Sequence, residues 1–162
     1  MAYFTIKLVH LLTILCICVS RASSSESGSI HDLLVSRGLP KGLVPEEVKS
    51  YRLWDNGTLE VILEEPCLTK YENRVLFDRV VRGNLRYGSL MGVVGLSQEE
   101  LFLWLPVKDI IVDDPTSGLI LFDIGVAHKQ LSLSLFEQPP HCKPQGILKN
   151  HVRKQKGFEA MR

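Results

Sequence analysis

The sequence is poor in the patterns that declare a chemistry. It has no Gly-x-Ser-x-Gly nucleophile elbow; the nearest approach, Gly88-Ser89-Leu90-Met91-Gly92, puts serine in the second place and fails. It has no phosphate-binding glycine loop. Asp113-Asp114 lacks the spaced oxygen ligands of a calcium loop and reads as a turn. Cys67 and Cys142 have no histidine or cysteine at metal-ligand spacing. No metal and no cofactor is therefore expected, and no catalytic set is assigned. Ser, His and Asp occur in almost every domain, and the one pairing worth naming is His128 as a base with Asp123 as its orienter. The chain has no internal repeat. Beyond its leader it has no apolar run that could span a bilayer, no hydrophobic C-terminal tail for a lipid anchor and no ER-retention tetrapeptide. Cysteine is scarce: of the four, Cys16 and Cys18 lie in the apolar leader, where their spacing carries no metal meaning.

What is present begins with that leader. Lys7 precedes an apolar run, Leu8 to Val19, and Ser20-Arg21-Ala22 supplies small residues at signal-peptidase spacing. Residues 1–22 read as a cleaved signal peptide, with an uncleaved signal anchor as the rival. Export to the cell exterior is the expectation, with the vacuole as the alternative destination. In an oxidising compartment Cys67 and Cys142 suggest one disulfide, tying the chain's end to its first hairpin; two buried free thiols are the alternative. Asn56-Gly57-Thr58 is an N-glycosylation sequon at an expected hairpin tip, although a turn needs Asn and Gly in any case.

Charge is divided unevenly. Residues 23–142 carry 11 Lys+Arg against 17 Asp+Glu, whereas residues 143–162 carry 6 against 1. The acidic, exported body argues against nucleic acid. The basic tail could find an anionic surface, such as lipid headgroups or acidic polysaccharide; a solvated, disordered tail is the plain alternative.

The rest of the chain is punctuated as short strands. Residues 23–29 read as a disordered leader. Ser29 is placed as an N-cap, with Asp32 three residues on, before a short helix over 30–37 that Gly38 ends. Val48–Trp54 and Thr58–Leu63 form a hairpin. A three-residue loop, with Gly57 left-handed, puts Leu53 opposite Leu59 and Tyr51 opposite Val61, the better hydrophobic match. Strands are expected over Arg74–Arg82, Asn84–Tyr87, Ser89–Leu96, Leu101–Leu105, Val107–Val112, Leu119–Gly125 and Leu131–Leu135, the last being the clearest alternation. Ser97–Glu100 and Asp113–Gly118 read as turns. Around eight strands and one helix predict a mainly β domain over 30–142, built as a closed or strongly curved antiparallel barrel-like sheet. Residues 143–162 read as disordered, with a helical tendency near Gly146–Lys154.

Leu101-Phe102-Leu103-Trp104-Leu105 is apolar on both faces, so both faces should be covered. One face fills the core; the other must meet the helix, the chain ends, a second sheet, a lipid or a partner. Phe102, Trp104 and Trp54 are accordingly the candidate ligand-binding residues, with core completion as the alternative.

Gly38-Leu39-Pro40-Lys41-Gly42-Leu43-Val44-Pro45 resembles the Gly-Leu-Pro-x-Gly-Leu-Leu-Pro signature of a plant family known only as domain-of-unknown-function family 538. Tyr51, Cys67, Gly83…Tyr87-Gly88, Glu100–Leu105 and Phe136-Glu137-Gln138-Pro139-Pro140-His141-Cys142 follow in matching order. The resemblance spans about residues 30–142, and Val44 stands where Leu is usual. It implies a small secreted β-barrel-like protein whose fold has been likened to lipid-binding proteins of the bactericidal/permeability-increasing type; a chlorophyll-hydrolase role has also been suggested. Three functions follow as expectations: a non-enzymatic binding module for a lipid-like ligand, an ester hydrolase acting on pigment or lipid, and a cell-wall protein anchored by its basic tail.

Overall fold

A computed structural model describes residues 28–143. The expected signal peptide, most of the leader and all but the first residue of the basic tail lie outside them. The chain enters through helix α1 (Ile30–Ser36). Ser29 caps it, its hydroxyl accepting from the His31 amide, while Leu39 N–H donates to Leu34 C=O and Gly38 N–H to Val35 C=O, a Schellman stop. Ile30, Leu33 and Leu34 turn inward.

Nine strands follow in one antiparallel sheet: β1 (Val48–Leu53), β2 (Thr58–Leu63), β3 (Cys67–Lys70), β4 (Arg74–Arg86), β5 (Ser89–Glu100), β6 (Leu103–Pro106), β7 (Asp109–Ile111), β8 (Leu119–Asp123) and β9 (His128–Ser132). The order is β1-β2-β4-β5-β7-β8-β9, with β3 also on β4 and β6 also on β5. The two long strands are the spine, each paired to different neighbours along its length. Gly95 makes their meeting workable where the register slips: at φ 86° it faces the Val80 carbonyl, and a Cβ there would lie 2.2 Å from that oxygen.

The mainly β, antiparallel expectation holds, with one short helix. The closed or strongly curved barrel does not. The ladder is an open path whose end strands, β1 and β9, do not pair. The core is instead finished by non-strand segments: α1, the loop through Leu39, Leu43 and Val44, and a 3₁₀ turn, Leu133–Phe136. Counting strands overstated closure because it gave these segments no covering role.

The first hairpin has the expected register, Leu53 opposite Leu59 and Tyr51 opposite Val61, and Leu59, Val61 and Leu63 are buried. Several local readings fail. Arg74–Arg82 and Asn84–Tyr87 are one strand, β4, and the run Leu101–Leu105 is strand only from Leu103, Leu101 and Phe102 being a turn. Leu131–Leu135 is not one strand: β9 stops at Ser132, whose hydroxyl accepts from Ser134 N–H and turns the chain into the 3₁₀ segment that buries Phe136. Ser97–Glu100 is not a turn either, but the end of β5.

The signature segment is a clasp. Gly42 lies against the 136–138 backbone; a Cβ on it would be 2.4 Å from both the Phe136 and Gln138 carbonyl oxygens. Tyr71 Oη donates to the Gly42 and Leu43 carbonyls at 2.8 and 3.2 Å, and its ring packs on Phe136. Burial pushes the Tyr71 phenol well above its ordinary value. Beyond Phe136 the chain runs as a strap. Glu46 N–H donates to Pro140 C=O, Thr69 Oγ1 to His141 C=O, and Lys143 N–H to Leu68 C=O. Cys142 is bonded to Cys67, and its amide donates to the Glu47 carboxylate. The bridge therefore ties the strap to β3, one strand beyond the first hairpin.

Candidate functional site

The β5–β6 hairpin has a two-residue loop, because Glu100 is paired with Leu103. Leu101 and Phe102 are its central residues, at φ 47° and 71°. Positive φ at both positions is type I′ geometry, which ordinarily calls for Asn-Gly. A bulky side chain held there costs about 1 kcal/mol or more per residue. The strained side chains are not hidden: Leu101 is 89% exposed and Phe102 92%, and Leu103 beside them is 64% exposed. The expectation that both faces of this apolar run are covered is thus overturned at its tip.

The base of the hairpin is held firmly. On one face Arg74 of β4 makes a bidentate ion pair with Glu99 of β5, and its guanidinium lies 6.0 Å from the Trp104 ring centre on β6. On the other face Glu100 Oε1 accepts from Asn73 Nδ2 at 2.6 Å, Gln98 Nε2 at 2.7 Å and Lys129 Nζ at 2.7 Å. The Lys129 hydrogen bond is the main reason the Glu100 carboxyl sits below its ordinary range; burial opposes it, and the Gln98 and Asn73 donors add to it. Gln98 is 1% exposed, and its Oε1 has no hydrogen-bond partner among the described residues.

Between this hairpin and the β3–β4 turn lies an open cleft of about 560 Å³. Leu101 and Phe102 form its apolar lip. Lys70, Glu72, Asn73, Arg74, Glu99, Glu100 and Lys143 supply polar walls. Among the described residues neither Lys70 nor Lys143 lies within ion-pair distance of a carboxylate, and neither does Glu72 of a cation, so the walls offer two lysines and one glutamate outside the fixed pairs.

The three residues expected to bind a ligand are not brought together. Phe102 lines the cleft. Trp104 sits behind it, half-buried against Arg74. Trp54 stands at the β1–β2 loop, beside the Asn84 end of β4, with Arg52 over its ring. Arg74 begins β4 ten residues earlier, which separates the two ends by roughly 30 Å at about 3.3 Å per residue. Sequence reasoning did not single out Leu101 from its apolar run, and it missed Lys70 and Lys143. The available signal was the polar run Ser97–Glu100, which continues a strand when its partners carry opposite charges.

The other candidates organise no chemistry. His128 is an exposed residue at the start of β9, 3.9 Å from Asp123, and no serine hydrogen-bonds to it among the described residues. The Asp123 carboxylate caps its own turn through Gly125 N–H. Glu47 Oε, Cys67 Sγ and Cys142 Sγ lie close together, but both sulfurs are spent in the disulfide and cannot act as thiolate ligands. Asn56 is exposed, its Oδ1 accepting from Thr58 N–H. Among the described residues no helix is long and apolar enough to cross a membrane.

Glu100 makes hairpin stability pH-dependent. Its folded pKa is lowered, so its contribution is present above the ordinary glutamate value of about 4.3 and is lost as pH falls. Thermal melts between about pH 6 and pH 3 should show a steeper acid decline in the wild type than in Glu100→Gln. Parallel slopes would show that the three donors do not favour the carboxylate.

No curated protein and no solved structure shows a significant match to the chain. Residues 30–137 match the family described as "Protein of unknown function, DUF538". That span is more than half of the chain and includes both the Gly38–Pro45 segment and the strained hairpin, and the protein belongs to the DUF538 family.

Proposed function

We propose that the protein is a secreted, non-enzymatic binding module for a lipid-like amphiphile with an anionic head, held at the β5–β6 hairpin. The observation that carries this reading is the pair Leu101-Phe102, kept exposed in left-handed backbone at the mouth of a cleft whose polar walls include Lys70 and Lys143. Strain of this kind persists where the surroundings over-determine it, and it concentrates at ligand-binding sites. An apolar tail would lie along the Leu101–Phe102 lip. An anionic head would meet Lys70 and Lys143.

Secretion is supported by the leader and by the disulfide, which suits an oxidising compartment. Carbohydrate at Asn56 is part of the same proposal. The ester-hydrolase reading gains nothing from His128, which is exposed and hydrogen-bonds to no serine among the described residues. The wall-anchor reading rests on a tail outside the described residues.

Native mass spectrometry of the full chain, expressed through a eukaryotic secretory pathway, tests the proposal. A co-purifying small molecule, lost on denaturation, is expected. The double variant Leu101→Asn/Phe102→Gly should lose it while gaining about 1–2 kcal/mol in stability, because Asn-Gly suits the type I′ turn. A bare wild-type protein that also fails to take up fatty acids or lysophospholipids would sink the reading.

A further inference from the structure

Two features of the first hairpin serve neither the clasp nor the cleft: the sequon Asn56-Gly57-Thr58 and the ring of Trp54, which is 38% exposed. The β1–β2 loop sets them together. Trp54 C=O accepts from Gly57 N–H and Trp54 N–H donates to Thr58 C=O, both at 2.9 Å, with Gly57 at φ 83°. Trp54 and Thr58 are therefore cross-strand neighbours, about 5 Å apart at Cβ. Leu53 and Leu59, the next pair along, pack into the core, so Trp54 and Thr58 turn to the outer face. Asn56 is drawn back to the same place, its Oδ1 accepting from Thr58 N–H at 3.0 Å. The loop is also tied down on β4. Leu85 N–H donates to Gly57 C=O at 2.8 Å, and Asn84 Nδ2 donates to Asn56 C=O at 3.0 Å. A glycan attachment point and an aromatic platform are thus held in fixed relation. Arg52 lies over the Trp54 ring, 5.5 Å from its centre, and the ring still keeps free surface.

We propose that an N-linked glycan at Asn56 folds back on Trp54, its first N-acetylglucosamine lying against the indole and bracing the first hairpin. This inference rests on the secretion and glycosylation proposed above, and it gives Trp54 a role that the cleft does not. In the transfer, Asn56 Nδ2 attacks the anomeric carbon of a lipid-diphosphate-linked oligosaccharide. The carbon–nitrogen bond forms, the bond from that carbon to the phosphate oxygen breaks, and the lipid diphosphate leaves. One amide proton passes to the oligosaccharyltransferase that catalyses the step. The product is a sugar tethered beside the ring. The C–H face of a pyranose is apolar and carries partial positive charge, which suits the negative face of an indole. Tethering supplies a high effective concentration, so the contact forms without the entropy cost of association.

The test uses the full chain, secreted from eukaryotic cells held at the high-mannose stage and trimmed by endoglycosidase to a single N-acetylglucosamine. Intact mass should show Asn56 occupied. By NMR, protons of the retained sugar should be shifted upfield by the indole ring current, and Trp54→Ala should abolish the shift. Urea denaturation then closes a double-mutant cycle over wild type, Trp54→Ala, Thr58→Val and the double variant, with Thr58→Val removing the sequon. The sugar should raise the folding constant about fivefold where Trp54 is present, the scale of one aromatic contact, and leave it unchanged in Trp54→Ala. The cycle cancels the loss of the Arg52 contact and the direct effect of Thr58→Val. Three results would overturn the inference: an unmodified Asn56, an occupied Asn56 whose sugar shows no upfield shift, or a stability gain that persists without Trp54. None of these bears on the ligand cleft. A sugar stacked on Trp54 in a chain that carries no small molecule would keep this inference and remove the binding-module reading.

Discussion

Removing the Cys67–Cys142 bridge is expected to cost about 4 kcal/mol and to lower Tm by roughly 15 °C. The two residues are 75 positions apart, so the bond removes a large loop entropy from the unfolded chain. The folded side adds to this. Without the bond, the strap is left with hydrogen bonds to Glu46, Glu47, Leu68 and Thr69, in two short segments, and with the exposed contacts of His141 with the Glu46 and Glu47 carboxylates. Each hydrogen bond contributes only about 1 kcal/mol net. Chemical denaturation of the double variant Cys67→Ala/Cys142→Ala measures the effect, and wild type in reductant provides the matching control. A loss below about 1 kcal/mol would mean that the strap is held by packing alone.

Gly42→Ala should be comparably damaging, at about 3 kcal/mol or more. The added methyl would meet two backbone carbonyl oxygens at 2.4 Å, and neither can rotate away as a side-chain tip would. Relief requires lifting the 41–43 turn off residues 136–138. That movement also breaks the Tyr71 hydroxyl's bonds to Gly42 and Leu43 and loosens Phe136, which is fully buried against Tyr71 and Phe122. Gly28→Ala is the control, because no atom lies within 4 Å of a Cβ there, and it should change stability by less than about 0.5 kcal/mol. Urea midpoints would decide; near-equal values for the two alanine variants would refute the clasp. Combined with the cysteine substitutions, Gly42→Ala should add less than its full effect, since both changes release the same strap.

The clasp explains why much of the fold could be read and part of it could not. Local chemistry wrote the caps of α1, the first hairpin's register and the Asp113–Gly118 turn, where Asp114 accepts from Thr116 and Gly118 stands at φ 70°. Each depends on residues a few positions apart. The Leu101–Phe102 turn was illegible because its residue types oppose its geometry. Pairing of Gln98 with Leu105 and of Glu99 with Trp104 forces the reversal there, and that pairing is held by Arg74 and Lys129 from distant strands. β9 ended early for a similar reason: burial of Phe136 outweighed a clean alternation. The site was half legible. Phe102 stood out as an apolar residue in an over-apolar strand, but Lys70 and Lys143 had no mark in the sequence until the fold set them beside it.

The strap also fixes an order of assembly. A ribosome delivers the 42–47 segment early and its partners at 136–142 late; the Glu47–Cys142 hydrogen bond spans 95 residues. Until those last residues emerge, the Tyr71 and Phe122 rings lack the Phe136 ring that packs against both, and Cys67 remains a thiol. The nascent sheet must therefore wait unfinished, vulnerable to wrong pairing at its open β1 and β9 edges. Its oxidation becomes a completion signal: a chain with the bond formed is one in which the final residues have already found their place.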